Sequence, residues 1–228
     1  MTGENQLFFP KKAEKYPGNF LTLLPFGMNN DIFESRRLTE GCPVLIFDIP
    51  QQIQKEFDGF IAESRKIKNH RLAELKAHEN VGYLYDGVGK KHNSYQCSIS
   101  PHLVEQSFWM AWVLRLTAKY WGVGRSHRNF KIREYPGHFM GYDVWTNFAY
   151  KGDDNPTHNH AGFLSGVIYY KNHGHPTHFD EYNISYEGKD GTMVLFPSQV
   201  FHHVETQISN KERITLAFNI IETNNDGL

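Results

Sequence analysis

Two histidines stand two residues apart in THNHAGFLSGVIYY (157–170), just ahead of an apolar, β-branched run. On a strand, residues i and i+2 point to the same face, so His158 and His160 can aim two imidazoles at one ion. A third imidazole comes 42 residues after His160 in FPSQVFHHVE (196–205). There His202 and His203 are adjacent, and alternation lets only one of them face inward. Histidine is the commonest metal ligand, and the chain has 13, nine of them between residues 127 and 203. The three in HGHPTH (173–178) sit in a turn-like stretch and read as loop residues. An H-x-H pair alone is weak evidence, but a later strand-borne histidine and a downstream arginine make it more specific. That arginine is Arg213, in ERITLAFN. Alternation puts Arg213, Thr215, Ala217 and Asn219 on one face and the plainly core residues Ile214, Leu216, Phe218 and Ile220 on the other. A cation among small residues, facing a space, usually pairs with an anion. A surface arginine on an edge strand is the competing reading.

These side chains need a scaffold. From residue 127 to 222 the chain runs in short alternating segments broken by turns: NFKIREY, MGYDVWTNFAY, FLSGVIYYK, THFDEYNI, TMVLFP, FHHVETQ and RITLAFNI. Strands at about ten-residue spacing predict a sandwich or barrel. Residues 1–42 read as an irregular arm, and PVLIFDIP (43–50) as a short strand. From Pro50, the spacing of Ile53, Phe57, Phe60, Ile61 and Ser64 predicts a helix to about Lys68, with RLAELKAHE (71–79) a second helix or a turn. SPHLVEQSFWMAWVLRLTAKYWG (100–122) predicts the clearest helix, with Ser100 as N-cap, Pro101 as first helical residue and Gly122 as its stop. GVGK (87–90) lacks the spacing and the strand–helix frame of a phosphate loop. The expectation is one domain over 1–228. Residues 1–126 form an arm and supporting helices, and 127–224 form a β core whose outer face the helices cover.

Composition narrows the function classes. With 228 residues the chain can bury a sizeable core. A net charge of −1 gives no general nucleic-acid surface, and the basic stretch KYWGVGRSHRNFKIR (119–133) reads as a solvated strand and loop. Cys42 and Cys97 are too few for a disulfide scaffold and read as buried thiols in a reducing compartment. The opening MTGENQLFFPKKAEK has no apolar signal core, and no run reaches the ~18–20 apolar residues of a spanning helix. The expectation is a soluble, cytoplasmic protein without a membrane partner.

Three segments then carry a resemblance: WTNFAYKGDDNPTHNHAGFLSGVIYY, GTMVLFPSQVFHHVE and RITLAFN. They are similar to the 2-oxoglutarate/Fe(II) oxygenases of the prolyl-hydroxylase-like group. Small bacterial and phage members of that group carry W-x-N, H-x-H, L-S-G-x-Y-Y, G-x-L-x-F-P-S, H-x-V and R-x-S-x-x-F-N in this order. The match spans about residues 145–221. It implies a double-stranded β-helix (jelly roll) with helices on its outer face. It implies that His158 and His202 bind Fe(II), that Arg213 grips the far carboxylate of 2-oxoglutarate, and that Tyr170 and Tyr150 line the cosubstrate pocket. Thr215 and Asn219 would support that pocket.

His160 departs from the pattern, because such sites normally combine two histidines with one carboxylate. Three accounts follow. His160 itself binds, giving a three-histidine site; this is the favoured account, since the proteins this chain resembles also read H-x-H. In a shifted register, His160 is the first ligand and Gly162 stands in the carboxylate's place, as in Fe(II) halogenases. In the third, a carboxylate arrives from elsewhere, with Asp180 or Glu181 the candidates. The implied activity is an Fe(II)- and 2-oxoglutarate-dependent dioxygenase, a hydroxylase of a protein side chain or small molecule, with oxygen as co-reactant. The alternatives are a cupin-like three-histidine dioxygenase or isomerase, and a jelly-roll binding protein without catalysis.

Overall fold

The computed structural model describes residues 34–77, 88–91, 94–99, 103–104, 107–121 and 140–222. The arm up to residue 33, the NFKIREY segment, most of the basic stretch, and Ser100, Pro101 and Gly122 lie outside them.

The described strands form two antiparallel sheets. The larger has eight strands in the order β1 (Arg36–Arg37), β2 (Leu45–Asp48), β10 (Thr192–Pro197), β7 (Leu164–Lys171), β12 (Arg213–Glu222), β5 (Met140–Ala149), β4 (Ser94–Ser98) and β3 (Val88–Lys91). The smaller has β6 (Asn155–His158), β11 (His202–Val204), β8 (Thr177–Phe179) and β9 (Ile184–Tyr186). Among the described residues, two long helices accompany them: α1 (Gln51–Ala77) and α2 (Phe108–Trp121). This is the jelly roll with covering helices that the strand pattern and the resemblance imply.

Alternation along the strands builds two separate cores. Ile214, Leu216, Phe218 and Ile220 of β12 bury one way, against Ile53, Phe57, Phe60, Trp109 and Trp112 of the helices. Tyr169, Val194, Phe196 and Phe179 bury the other way, between the sheets. The helices therefore cover the outer face of the larger sheet, and the barrel interior combines the second core with buried polar groups such as Arg213, Thr215 and Asn219. Gly166 marks how close this packing is. A Cβ there would meet the Phe218 ring at 2.2 Å. Gly166→Ala is expected to lower stability by about 1–3 kcal/mol through overpacking, read as a fall in melting temperature.

Three elements differ from expectation. The β3–β4 hairpin was not anticipated: VGKK and SYQCS lack apolar alternation, and pairing to the edge of β5 is what holds them. α1 runs through to Ala77 without the break expected near Lys68. The single helix expected over 100–122 is interrupted at Ser107: Leu103 and Val104 are helical, and α2 begins at Phe108. Its first amides instead donate to Glu56 of α1, Phe108 N–H to Oε1 at 3.0 Å and Trp109 N–H to Oε2 at 3.0 Å. A carboxylate 52 residues away in sequence caps the helix and complements its dipole. None of the described helices is long and apolar enough to cross a membrane.

α1 is also tied to the start of β12. Arg65 Nη2 donates to Glu212 Oε2 at 2.5 Å, and Arg65 Nη1 to Oε1 at 3.0 Å. Lys68, only 4% exposed, and the Tyr150 hydroxyl bond the same carboxylate. Burial acts to raise the Glu212 pKa, but the hydrogen bonds of Arg65 and Tyr150 and the charges of Arg65 and Lys68 outweigh it and hold it at about 2. A folded pKa below the unfolded one stabilises above the unfolded value and loses that contribution as pH falls through the folded value. Between about pH 4.5 and 2, stability should therefore fall. Glu212→Gln is expected to cost about 2 kcal/mol near neutrality and to flatten that slope, measured by urea unfolding at pH 7, 4.5 and 3.

Candidate metal centre

The three expected histidines meet. His158 ends β6, His202 opens β11, and the two are cross-strand partners. Their rings are 4.3 Å apart. His160 lies in the turn after β6, where its amide donates to Ser198 O at 2.9 Å. Its ring is 4.9 Å from that of His158 and 5.2 Å from that of His202. One ring nitrogen from each histidine lies within 4.8 Å of the others.

The ring orientations are set by the backbone. His158 Nδ1–H donates to Pro156 O at 2.8 Å, and His202 Nδ1–H to Val200 O at 2.9 Å. Each bond fixes the tautomer and leaves Nε2 as the nitrogen for an ion. Burial lowers the His202 pKa to about 3, helped by the neighbouring His158 and opposed by the bond to Val200. The ring is neutral, the state a ligand needs.

Alternation separates the two adjacent histidines. His202 is 4% exposed and faces the cluster. His203 faces the other way, donating from Nδ1 to Asp180 Oδ1 at 2.6 Å. Asp180 is thereby placed on the far side of the smaller sheet, where Oδ2 also accepts the Thr157 hydroxyl at 2.9 Å. Glu181 is exposed. Gly162 packs against Ile220 O and Ser198 Oγ, each 3.1 Å from where its Cβ would stand. Among the described residues, no carboxylate joins the cluster.

Arg213 lies on the interior face, 6% exposed. Its Nε donates to Asn172 Oδ1 at 2.6 Å. Asn172 cannot turn away, because its Nδ2 donates to His175 O at 2.6 Å and Glu187 O at 2.5 Å. Burial pulls the Arg213 pKa down to about 10. No carboxylate among the described residues forms an ion pair with it. Thr215, 1% exposed, accepts from Asn147 Nδ2 at 3.3 Å. Asn147 Oδ1 is buried without a hydrogen-bond partner among the described residues. Asn219 Oδ1 lies 2.7 Å from the Ser165 hydroxyl.

The two expected tyrosines are elsewhere. Tyr170 shares its face with Ile168, packs against the helical core, and donates to Asp58 of α1 at 2.6 Å. Tyr150 packs against the same core and joins the Glu212 network. The inward tyrosine is Tyr169, fully buried, whose hydroxyl donates to Thr177 Oγ1 at 2.9 Å and whose ring lies near Arg213. Counting strand parity from Leu164 and Ile168, both in the helical core, would have found it. Trp145 was also missed as a site residue, although it stands in the W-x-N pattern. Its ring is 5.7 Å from that of His160.

Comparison with known proteins adds to this geometry. Residues 171–219 match a family described as "Putative 2OG-Fe(II) oxygenase". No curated protein matches the chain. Among solved structures, the chain is similar to the viral collagen prolyl hydroxylase of Paramecium Bursaria Chlorella virus-1 in its 2-oxoglutarate complex. The identity is 13% and the TM-score 0.52, over 81% of this chain and 98% of that one. A Pseudomonas putida prolyl-4-hydroxylase is similar at 14% identity and a TM-score of 0.51, over 81% and 95%. At these identities the likeness speaks for the fold. The family match, confined to residues 171–219, falls within the part of the chain that carries that fold.

Proposed function

We propose that the chain is an Fe(II)- and 2-oxoglutarate-dependent hydroxylase with a three-histidine metal site, acting on a protein side chain or small molecule. The observation that carries this is a buried guanidinium, Arg213, with no counter-ion among the described residues, in the same barrel interior as three converging imidazoles. An unpaired buried charge is costly, and an anionic ligand relieves the cost.

His158, His160 and His202 would hold the metal. The donor set fits: three neutral nitrogens suit Fe(II), and the tautomers of His158 and His202 are already fixed. When bound together, Fe(II) and 2-oxoglutarate supply oxidative decarboxylation coupled to hydroxylation of a substrate C–H bond. The chain's own residues bind and orient. Three imidazoles bring no charge, so the dicarboxylate would provide the neutralisation that a carboxylate ligand gives elsewhere. Arg213 would hold the distal carboxylate, with the Asn172 bond fixing the angle of its planar fork. Along β12, Arg213 stands four residues from Ala217, which pairs with Trp145 beside His160. At about 3.3 Å per residue this separates the Cα atoms by ~13 Å, a gap for an arginine side chain and a five-carbon diacid. Trp145, Tyr169 and Phe196 keep the interior apolar around them.

The test is an anaerobic titration with Fe(II) and 2-oxoglutarate, followed through the weak visible band of a metal-chelated keto acid. The band is expected in the wild type and lost or shifted in His160→Ala. Retention of an unchanged band in His160→Ala would reduce the site to two histidines. Iron binding without any band would favour a cupin-like activity.

A further inference from the structure

We infer that His178, His203 and Glu205 form a second divalent-metal site, suited to Zn²⁺, on the outer face of the smaller sheet. It is independent of the oxygenase reading. His203 and Glu205 are two apart along β11 and its exit, so they share a face, and His178 is the cross-strand partner of His203. Their ligand atoms lie within 4.8 Å of one another.

Three details go beyond proximity. His203 donates from Nδ1 to Asp180 Oδ1 at 2.6 Å, which leaves Nε2 for an ion. A carboxylate behind a histidine in this way is the usual support of a metal-binding imidazole. Asp180 is itself held by the Thr157 hydroxyl at 2.9 Å. Next, His178 Nε2 is buried and has no hydrogen-bond partner among the described residues. It stands 3.8 Å from Glu205 Oε1, too far for a hydrogen bond. Two ligands of tetrahedral Zn²⁺, each about 2.0–2.2 Å from the ion, are roughly 3.4 Å apart, so a small closure makes the pair a chelate. Third, His175 anchors the segment, its ring bonded to Glu205 O at 3.0 Å.

The rings of His178 and His203 are stacked, 4.5 Å apart and 5° from parallel. Nitrogen lone pairs lie in the ring plane, so two stacked rings do not point at one ion. Binding therefore swings one ring out of the stack. Two imidazoles and one carboxylate with an open position match the ligand set of zinc rather than that of magnesium or calcium.

The experiment is equilibrium dialysis of the full chain against Zn²⁺ with elemental analysis, repeated with Co²⁺ for its visible spectrum. His158→Ala/His160→Ala, which disables the first cluster, is expected to retain one equivalent and to gain melting temperature on adding Zn²⁺. Adding His178→Ala or Glu205→Gln should remove both the equivalent and the gain. Glu205 has a side chain 66% exposed, so its substitution leaves the fold intact. Asp180→Asn should weaken this equivalent about 10- to 100-fold. The proposal is overturned if the first double variant binds no Zn²⁺, or if Glu205→Gln leaves its equivalent and melting gain unchanged.

Discussion

His202→Ala is expected to remove Fe(II) binding and turnover together, while His203→Ala keeps both. The two residues are neighbours on β11 but face opposite sides of the sheet. His202 is the buried member of the interior cluster and the strand partner of His158. Its loss leaves the ion with two nitrogens, one of them on a turn. The drop should exceed the ~100-fold that loss of an outer hydrogen-bond partner brings. Anaerobic Fe(II) binding by dialysis in a Glu205→Gln background, which silences the outer cluster, with oxygen uptake for turnover, separates the variants. Equal losses in both would place the metal between the sheet's faces or elsewhere, and would sink the interior site.

Arg213→Ala is expected to leave Fe(II) binding intact and to weaken 2-oxoglutarate binding. Truncating one side of a buried charge pair costs about 2–5 kcal/mol, or roughly 30- to 4,000-fold in Kd. Arg213→Lys should fall between, because it keeps the charge and loses the planar fork. A purely structural arginine would behave differently, destabilising the ligand-free fold on removal. Here the buried cation has no counter-ion among the described residues, so Arg213→Ala should melt at the same temperature or higher. Calorimetric titration with 2-oxoglutarate and a melting scan of the same samples decide the matter.

The barrel was legible because its strands alternate cleanly. RITLAFNI states both of its faces, and the structure fills each as read. Spacing also brought His158, His160 and His202 together. Doubled residues were harder. In VIYYK the resemblance selected Tyr170, but parity with Ile168 turns that ring to the helices and leaves Tyr169 inside. Tyr150 stands just past β5, where a network from α1 captures its hydroxyl. The break before Phe108 was not legible because the cap of α2 is a tertiary contact from Glu56, invisible to any local signal. Asn172 escaped notice because its role depends on three loop carbonyl and guanidinium contacts that no pattern encodes.

The strand order has a consequence for how this protein is made. β12, the last described strand in sequence, lies at the middle of the larger sheet between β7 and β5. β2 waits for β10, whose Leu195 pairs with Leu45. During synthesis from the N-terminus, α1 and β2 emerge with no sheet to cover, and β5 and β7 emerge with a strand missing between them. The barrel closes only once residues 213–222 have left the ribosome. Such long-range pairing folds slowly and leaves apolar edges open in the meantime. A nascent chain stalled before Arg213 should therefore be protease-sensitive and prone to aggregate, and one stalled well beyond Glu222 should be resistant.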